Sequence, residues 1–180
     1  GIQAGLRSEY TFVRTETPAT PELDGDRDYT RLFPSGSINY KFSDAVSTQL
    51  SYSSRIRRPY FGLLNPFGGI GDPNSIFVGN PKLNPIYIDR LEWNLVFRSE
   101  KFTINPAIYA AQVTDFFATV INQVPENAFG LRTGTIVRRP VNLDTERFGG
   151  VELSVNYRPT DNINLSADAN FYGYQQRGNF

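Results

Sequence analysis

The side chains able to do chemistry in this sequence are few in kind. It has no Cys and no His, which removes thiol nucleophiles, Ser-His-Asp arrangements, thiolate zinc sites and imidazole metal ligands together. Glu9, Glu92 and Glu152 fall on one side of the strand patterns described below. They would be the raw material for a glycosidase-type acid and base, which needs two carboxyl groups at a fixed separation in a cleft. Each has an Arg near it and none is set apart in apolar surroundings, so no catalytic residue is assigned and the chain is read as a non-enzyme. Asp24, Asp26 and Asp28 have the spacing that opens a calcium loop, but the Gly and the distal bidentate Glu are absent at the required offsets. A solvated turn is the better reading, and neither a metal site nor a cofactor is expected.

One constellation remains for binding. Arg55, Arg57 and Arg58 form a basic cluster, and Tyr60, Phe61 and Phe67 follow within a long segment that also holds Ile70 and Phe77. Guanidinium groups present forks that suit anionic ligands, and rings in a loop serve as anchors. A structural reading competes. Arg7, Arg55, Arg57, Arg90 and Arg98 would pair across strands with Glu9, Glu92 and Glu152, each pair contributing about 0.2–1 kcal/mol. The long segment would then fold on itself through Asn65-Pro66 and Asn80-Pro81, tucking its rings inward.

The elements positioning these residues follow from periodicity. Apolar Ile2, Ala4, Leu6, Tyr10 and Phe12 alternate with Gln3, Arg7, Glu9 and Thr11, which is the mark of a strand with one wet face. The pattern returns with Gly36, Ile38, Tyr40 and Phe42, and with Leu50, Tyr52 and Ile56. It continues with Leu91, Trp93, Leu95 and Phe97, and with Phe102, Ile104 and Ile108, where Pro106 interrupts a ladder it cannot donate to. Two more runs carry Val151, Leu153, Val155 and Tyr157, then Ile163, Leu165, Ala167, Ala169 and Phe171. About seven strands are predicted, and no helix.

Connections alternate between short and long. Ser43-Asp44-Ala45, Ser99-Glu100-Lys101 and Pro159-Thr160-Asp161-Asn162 are tight turns, whereas long Pro- and Gly-rich loops are predicted at about 17–31, 59–85 and 125–144. All short turns therefore fall at one end of the sheet and all long loops at the other, as in outer-membrane barrels. An all-β antiparallel meander, part of a large transmembrane barrel, is the predicted fold class. Residues 1–180 would form a partial barrel domain with neither plug nor signal peptide. Lipid contacts the aromatic face and water the charged one, with Trp93, Tyr40, Tyr52 and Tyr157 suited to interfacial girdles. Period two alone also fits a soluble or surface-exposed binding module, carbohydrate-binding or adhesin-like, with the apolar face in a dry core.

Lys+Arg 18 against Asp+Glu 18 gives no electrostatic reason to expect nucleic acid. No stretch approaches the roughly 18 apolar residues of a spanning helix, which leaves spanning strands open.

With the strands placed, the segments between them resemble a motif series of TonB-dependent receptor barrels, in the branch of the outer-membrane protein β-barrel family. The matching residues run from Leu32-Phe33-Pro34-Ser35 to Arg58-Pro59-Tyr60, Leu64-Asn65-Pro66-Phe67, Gly79-Asn80-Pro81-Lys82-Leu83-Asn84-Pro85 and Phe148-Gly149-Gly150-Val151. The resemblance implies an internal portion of a 22-strand barrel around a plug. Such a barrel imports a scarce ligand of siderophore, cobalamin, glycan or peptide class, with energy relayed by TonB through the plug. It makes outer-membrane lipid, the TonB system and an unknown small ligand the expected partners, with self-association through open strand edges as a further expectation.

Overall fold

A computed structural model describes residues 1–16, 25–67, 69–72, 74–124 and 134–178. Alternation produces strands where predicted: β1 (Ile2–Thr15), β2 (Gly25–Lys41) and β3 (Val46–Arg57) pair consecutively and antiparallel. After β3 come a four-residue helix α1 (Phe61–Leu64) and two short strands, β4 (Gly69–Asp72) and β5 (Ser75–Phe77). Then β6 (Ile86–Arg98), β7 (Phe102–Gln123), β8 (Ile136–Thr160) and β9 (Ile163–Arg177) complete the meander. All belong to one nine-stranded sheet, seven of whose strands are the long ones expected. β5 joins the edge of β8 in parallel, through Ser75–Ile136 to Phe77–Arg138.

The short turns are locally satisfied. Ser43 Oγ accepts from the backbone N–H groups of Ala45 and Val46, at 3.2 and 3.1 Å, which closes the β2–β3 turn with Lys41 paired to Asp44. Ser99 N–H donates to the Phe102 carbonyl at 2.8 Å in the β6–β7 turn. Pro106 lies within β7, and the missing donor is accommodated on one side. Pairing with β8 runs through Pro106–Leu153 without a break, while pairing with β6 passes from Asn94–Ala107 directly to Phe97–Ile104.

The long strands outrun the predicted loops. Residues 25–31 belong to β2 and 136–144 to β8, so two of the three loops are shorter than expected. Residues 115–123 and 136–143 pair above the sheet, with β5 along the edge of β8, in an extension that begins at Asp115, whose φ of 58° marks a skipped pair. The β2–β3 ladder ends at Ser35–Ser53, next to Pro34, and above it β2 pairs only with β1. The 58–85 segment fills that opening. Arg27 donates to the Leu83 carbonyl at 2.6 Å and to the Asn84 amide oxygen, while the Phe33 ring stacks on Tyr87, over which Arg31 lies at 3.6 Å.

Candidate functional site

Residues opposite one another in a ladder share a face, so the registers define rows across the sheet. One row runs Ile2, Ile38, Leu50, Trp93, Ile108, Val151 and Phe171 through all seven long strands, and every member is apolar. The adjacent row, on the opposite face, runs Gln3, Ser37, Ser51, Glu92, Tyr109, Gly150 and Tyr172. Apolar and polar faces are thus coherent over the whole sheet. Among the described residues no layer covers the apolar one, where Ile2 is 82% exposed and Phe171 74%. A soluble sandwich would bury this face against a second sheet.

On β8 the outward residues Gly149 to Tyr157 are apolar or aromatic, a span of about 26 Å along the strand at the usual rise. Tilted as barrel strands are, this approaches the apolar height of about 25 Å of outer-membrane barrels. Aromatic rings gather at the turn end of the band. Tyr40 meets Phe42 edge-on at 4.7 Å, Phe97 stacks on Phe102 at 5.8 Å, and Tyr157 stands opposite Phe102. Tyr52 marks the loop end, its hydroxyl donating to Asp89 at 2.8 Å. Trp93 departs from the girdle expectation by sitting within the band, where Thr48 Oγ1 accepts from its indole N–H at 2.8 Å and removes the need for interfacial water.

The charged face carries ion pairs that differ in kind from those expected. Arg7 pairs with Glu9 at 2.9 Å and Arg90 with Glu92 at 2.6 Å, each along its own strand instead of across the ladder. Residues two apart share a face and approach one another when the strand is twisted. Among the described residues Arg55, Arg57, Arg98 and Glu152 form no ion pair.

This separates the basic cluster into two parts. Arg58 is a tether, reaching Glu9 Oε2 at 2.5 Å and Thr11 Oγ1 at 2.9 Å on β1. The Glu9 carboxylate holds its guanidinium even further above the ordinary range. Arg55 and Arg57 stand exposed at the loop end of β3, opposite Ile88 and Ile86. Tyr60, Phe61 and Phe67 are 69%, 78% and 56% exposed, so these rings face outward from the segment and are not tucked into it. Of the calcium-like acids, Asp24 lies outside the described residues and Asp26 stands 3.7 Å from Arg14.

The segment does fold on itself at its Asn-Pro steps. Asn65 Oδ1 accepts from Phe67 N–H and Asn80 Oδ1 from Lys82 N–H, at 3.1 and 3.0 Å. Gly79 N–H donates to the Asn65 carbonyl at 2.9 Å, and a Cβ at Gly79 would lie 2.4 Å from that oxygen, so only glycine fits. The sequence reading missed a second anchor. Asn142 on β8 accepts from Asn84 N–H at 2.7 Å and donates to the carbonyls of Asn84 and Asp115, at 3.1 and 2.6 Å. Asn80 adds a bond to the Pro140 carbonyl at 3.1 Å. The motif residues Asn80 and Asn84 therefore fasten one loop to the root of the next.

A sheet with one lipid-compatible face, one polar face and all long loops at one end is the wall of a transmembrane β-barrel. The sequence matches the model of the outer membrane protein beta-barrel family over residues 1–180, and the chain belongs to that family, in the bacterial outer membrane. The expected membership in the outer-membrane protein β-barrel family is borne out, and the expected barrel fold is shared with solved receptor and transporter chains. Similar solved structures are the siderophore receptor PirA from Pseudomonas aeruginosa (TM-score 0.70, 12% identity, 96% of this chain covered) and the copper transporter OprC (0.72, 18%, 97%). The FrpB iron transporter from Neisseria meningitidis is a third (0.68, 17%, 99%). The chain spans 35%, 26% and 24% of those three chains respectively. No curated protein matches the sequence.

Proposed function

We propose that this chain forms wall and outer loops of a barrel that imports a scarce ligand across the outer membrane. The observation carrying this reading is the pair of opposed rows, one apolar and one polar, that cross all seven long strands below a cluster of long loops. Further barrel strands would pair with β1 and β9, whose outer edges have no partner among the described residues. Motive force would come from the TonB system through a plug outside residues 1–180.

Arg55 and Arg57, with Tyr60, Phe61 and Phe67, are the proposed ligand contacts, and Arg58 fixes the segment that presents them. Two guanidinium groups without an ion pair among the described residues, followed within about the next ten positions by exposed rings, suit an anionic, aromatic chelate of siderophore type better than a neutral glycan or peptide. The siderophore receptor among the structural neighbours supports that choice. Binding titrations of the purified protein in detergent, against a panel of ferric siderophores, cobalamin, oligosaccharides and peptides, test it. The expected result is affinity for an anionic ferric chelate that falls about tenfold or more in R55A/R57A, the ordinary worth of lost charge-assisted bonds. Unchanged affinity in that variant, or selective binding of a neutral ligand, would refute the assignment.

A further inference from the structure

The lipid-facing side carries a second candidate site at its rim. Directly above the apolar rows, the outward residues on β3, β6, β7, β8 and β9 are Ser54, Asp89, Gln112, Arg147 and Gln175. One pair higher, Arg177 stands opposite Thr145. Arg147 and Arg177 are therefore diagonal neighbours on one face, and a pocket of about 170 Å³ between them is lined by Asp144, Thr145, Arg147, Gln175 and Arg177. Neither guanidinium forms an ion pair among the described residues, Asp144 included, and Arg147 is aimed by its Nε–H bond to Gln112 at 2.9 Å.

Along this row the carboxylate is Asp89, two strands from Arg147, where it accepts from the Tyr52 hydroxyl at 2.8 Å. The cations of this row and of the one above it gather at the β8–β9 corner. Below it opens an adjoining groove of about 550 Å³, floored by Ala110, Gly149 and Gly173 and walled by Tyr52 and Leu91, with Asp89, Gln112 and Arg147 along its upper edge. A basic pocket over an apolar trough, on the face that lipid covers, has the charge pattern of a phosphorylated amphiphile: acyl chain below, phosphate above.

We propose that Arg147 and Arg177, with Gln112 and Gln175, hold the phosphate of a membrane lipid in the leaflet on the long-loop side, its acyl chain lying in the Ala110–Gly149–Gly173 trough. The site is outside the wall and separate from Arg55 and Arg57, so its success or failure does not depend on the imported ligand.

Native mass spectrometry of the whole protein, extracted in mild detergent, measures retention of a phosphorylated glycolipid against the same lipid dephosphorylated. Wild-type protein is expected to retain the phosphorylated form selectively, and R147Q/R177Q to lose about 30-fold of that retention, from the ordinary worth of two arginines at an anionic surface. R147K/R177K should recover most of it, which separates charge from fold. Millimolar inorganic phosphate should not displace the lipid. Equal retention of the two lipids would show an apolar trough only, and displacement by phosphate a free-anion site only. Either result, or unchanged retention in R147Q/R177Q, overturns the proposal.

Discussion

Replacing Leu153 by Arg and, separately, its neighbour Ser154 by Arg puts the two-faced wall to a quantitative test. Leu153 lies in the middle of the outward run Gly149–Tyr157 on β8, flanked in its row by Pro106 and Ala169. Ser154 points to the other face, where its hydroxyl donates to Asp168 at 2.6 Å. A cation at mid-depth on the lipid face costs about 2–4 kcal/mol, a factor of about 30 to 800 in the folding equilibrium. On the polar face, beside the Asp168 carboxylate, the same side chain should cost no more than about 0.5 kcal/mol, the range of ordinary surface changes. Phe97, next to the β6–β7 turn, supplies a depth control, since the penalty falls to about 0–1 kcal/mol near the interface. Urea titration of the protein folding into lipid vesicles measures all three. Equal costs for Leu153→Arg and Ser154→Arg would mean that the sheet does not divide lipid from water.

Other consequences follow from the loop anchors. Gly79→Val puts side-chain atoms against the Asn65 backbone. It should loosen the 58–85 segment by about 1–3 kcal/mol, seen as faster proteolytic nicking there with the barrel intact. Asn142→Ala removes three bonds that join Asn84 and Asp115. At about 1 kcal/mol each, hydrogen exchange should accelerate in both residues 80–85 and the β7–β8 extension; acceleration in one alone would contradict the coupling. Arg58→Ala breaks an exposed pair worth about 0.2–1 kcal/mol, so it should leave the melting temperature nearly unchanged while increasing exchange at Tyr60 to Leu64.

The strands were legible where they cross the membrane, because lipid on one side and water on the other write period two into Val151–Tyr157 or Leu91–Phe97. Above the membrane both faces are wet and the signal vanishes. Residues 25–31, with Asp26, Arg27, Asp28 and Arg31, read as loop, yet they pair in register with β1. The 136–143 stretch, with Arg138, Arg139 and Pro140, is paired with β7 in the same way. Arg55, Arg57 and the loop rings stood out by type alone. The asparagine anchor did not, since Asn84 and Asn142 are distant in sequence and an amide pair between loops leaves no periodicity. Likewise, the distinction between a tethered Arg58 and free neighbours depends on Glu9, which only the β1–β2 fold brings within reach.

The face assignment is tested most directly by spin labels at 151 to 156, read for accessibility to oxygen and to a water-soluble nickel chelate in reconstituted membranes. The chain has no Cys, so each introduced label is unique within it. Positions 151, 153 and 155 should favour oxygen and positions 152, 154 and 156 the nickel chelate, in strict alternation. Uniform accessibility, or the reverse order, would contradict the barrel wall described here.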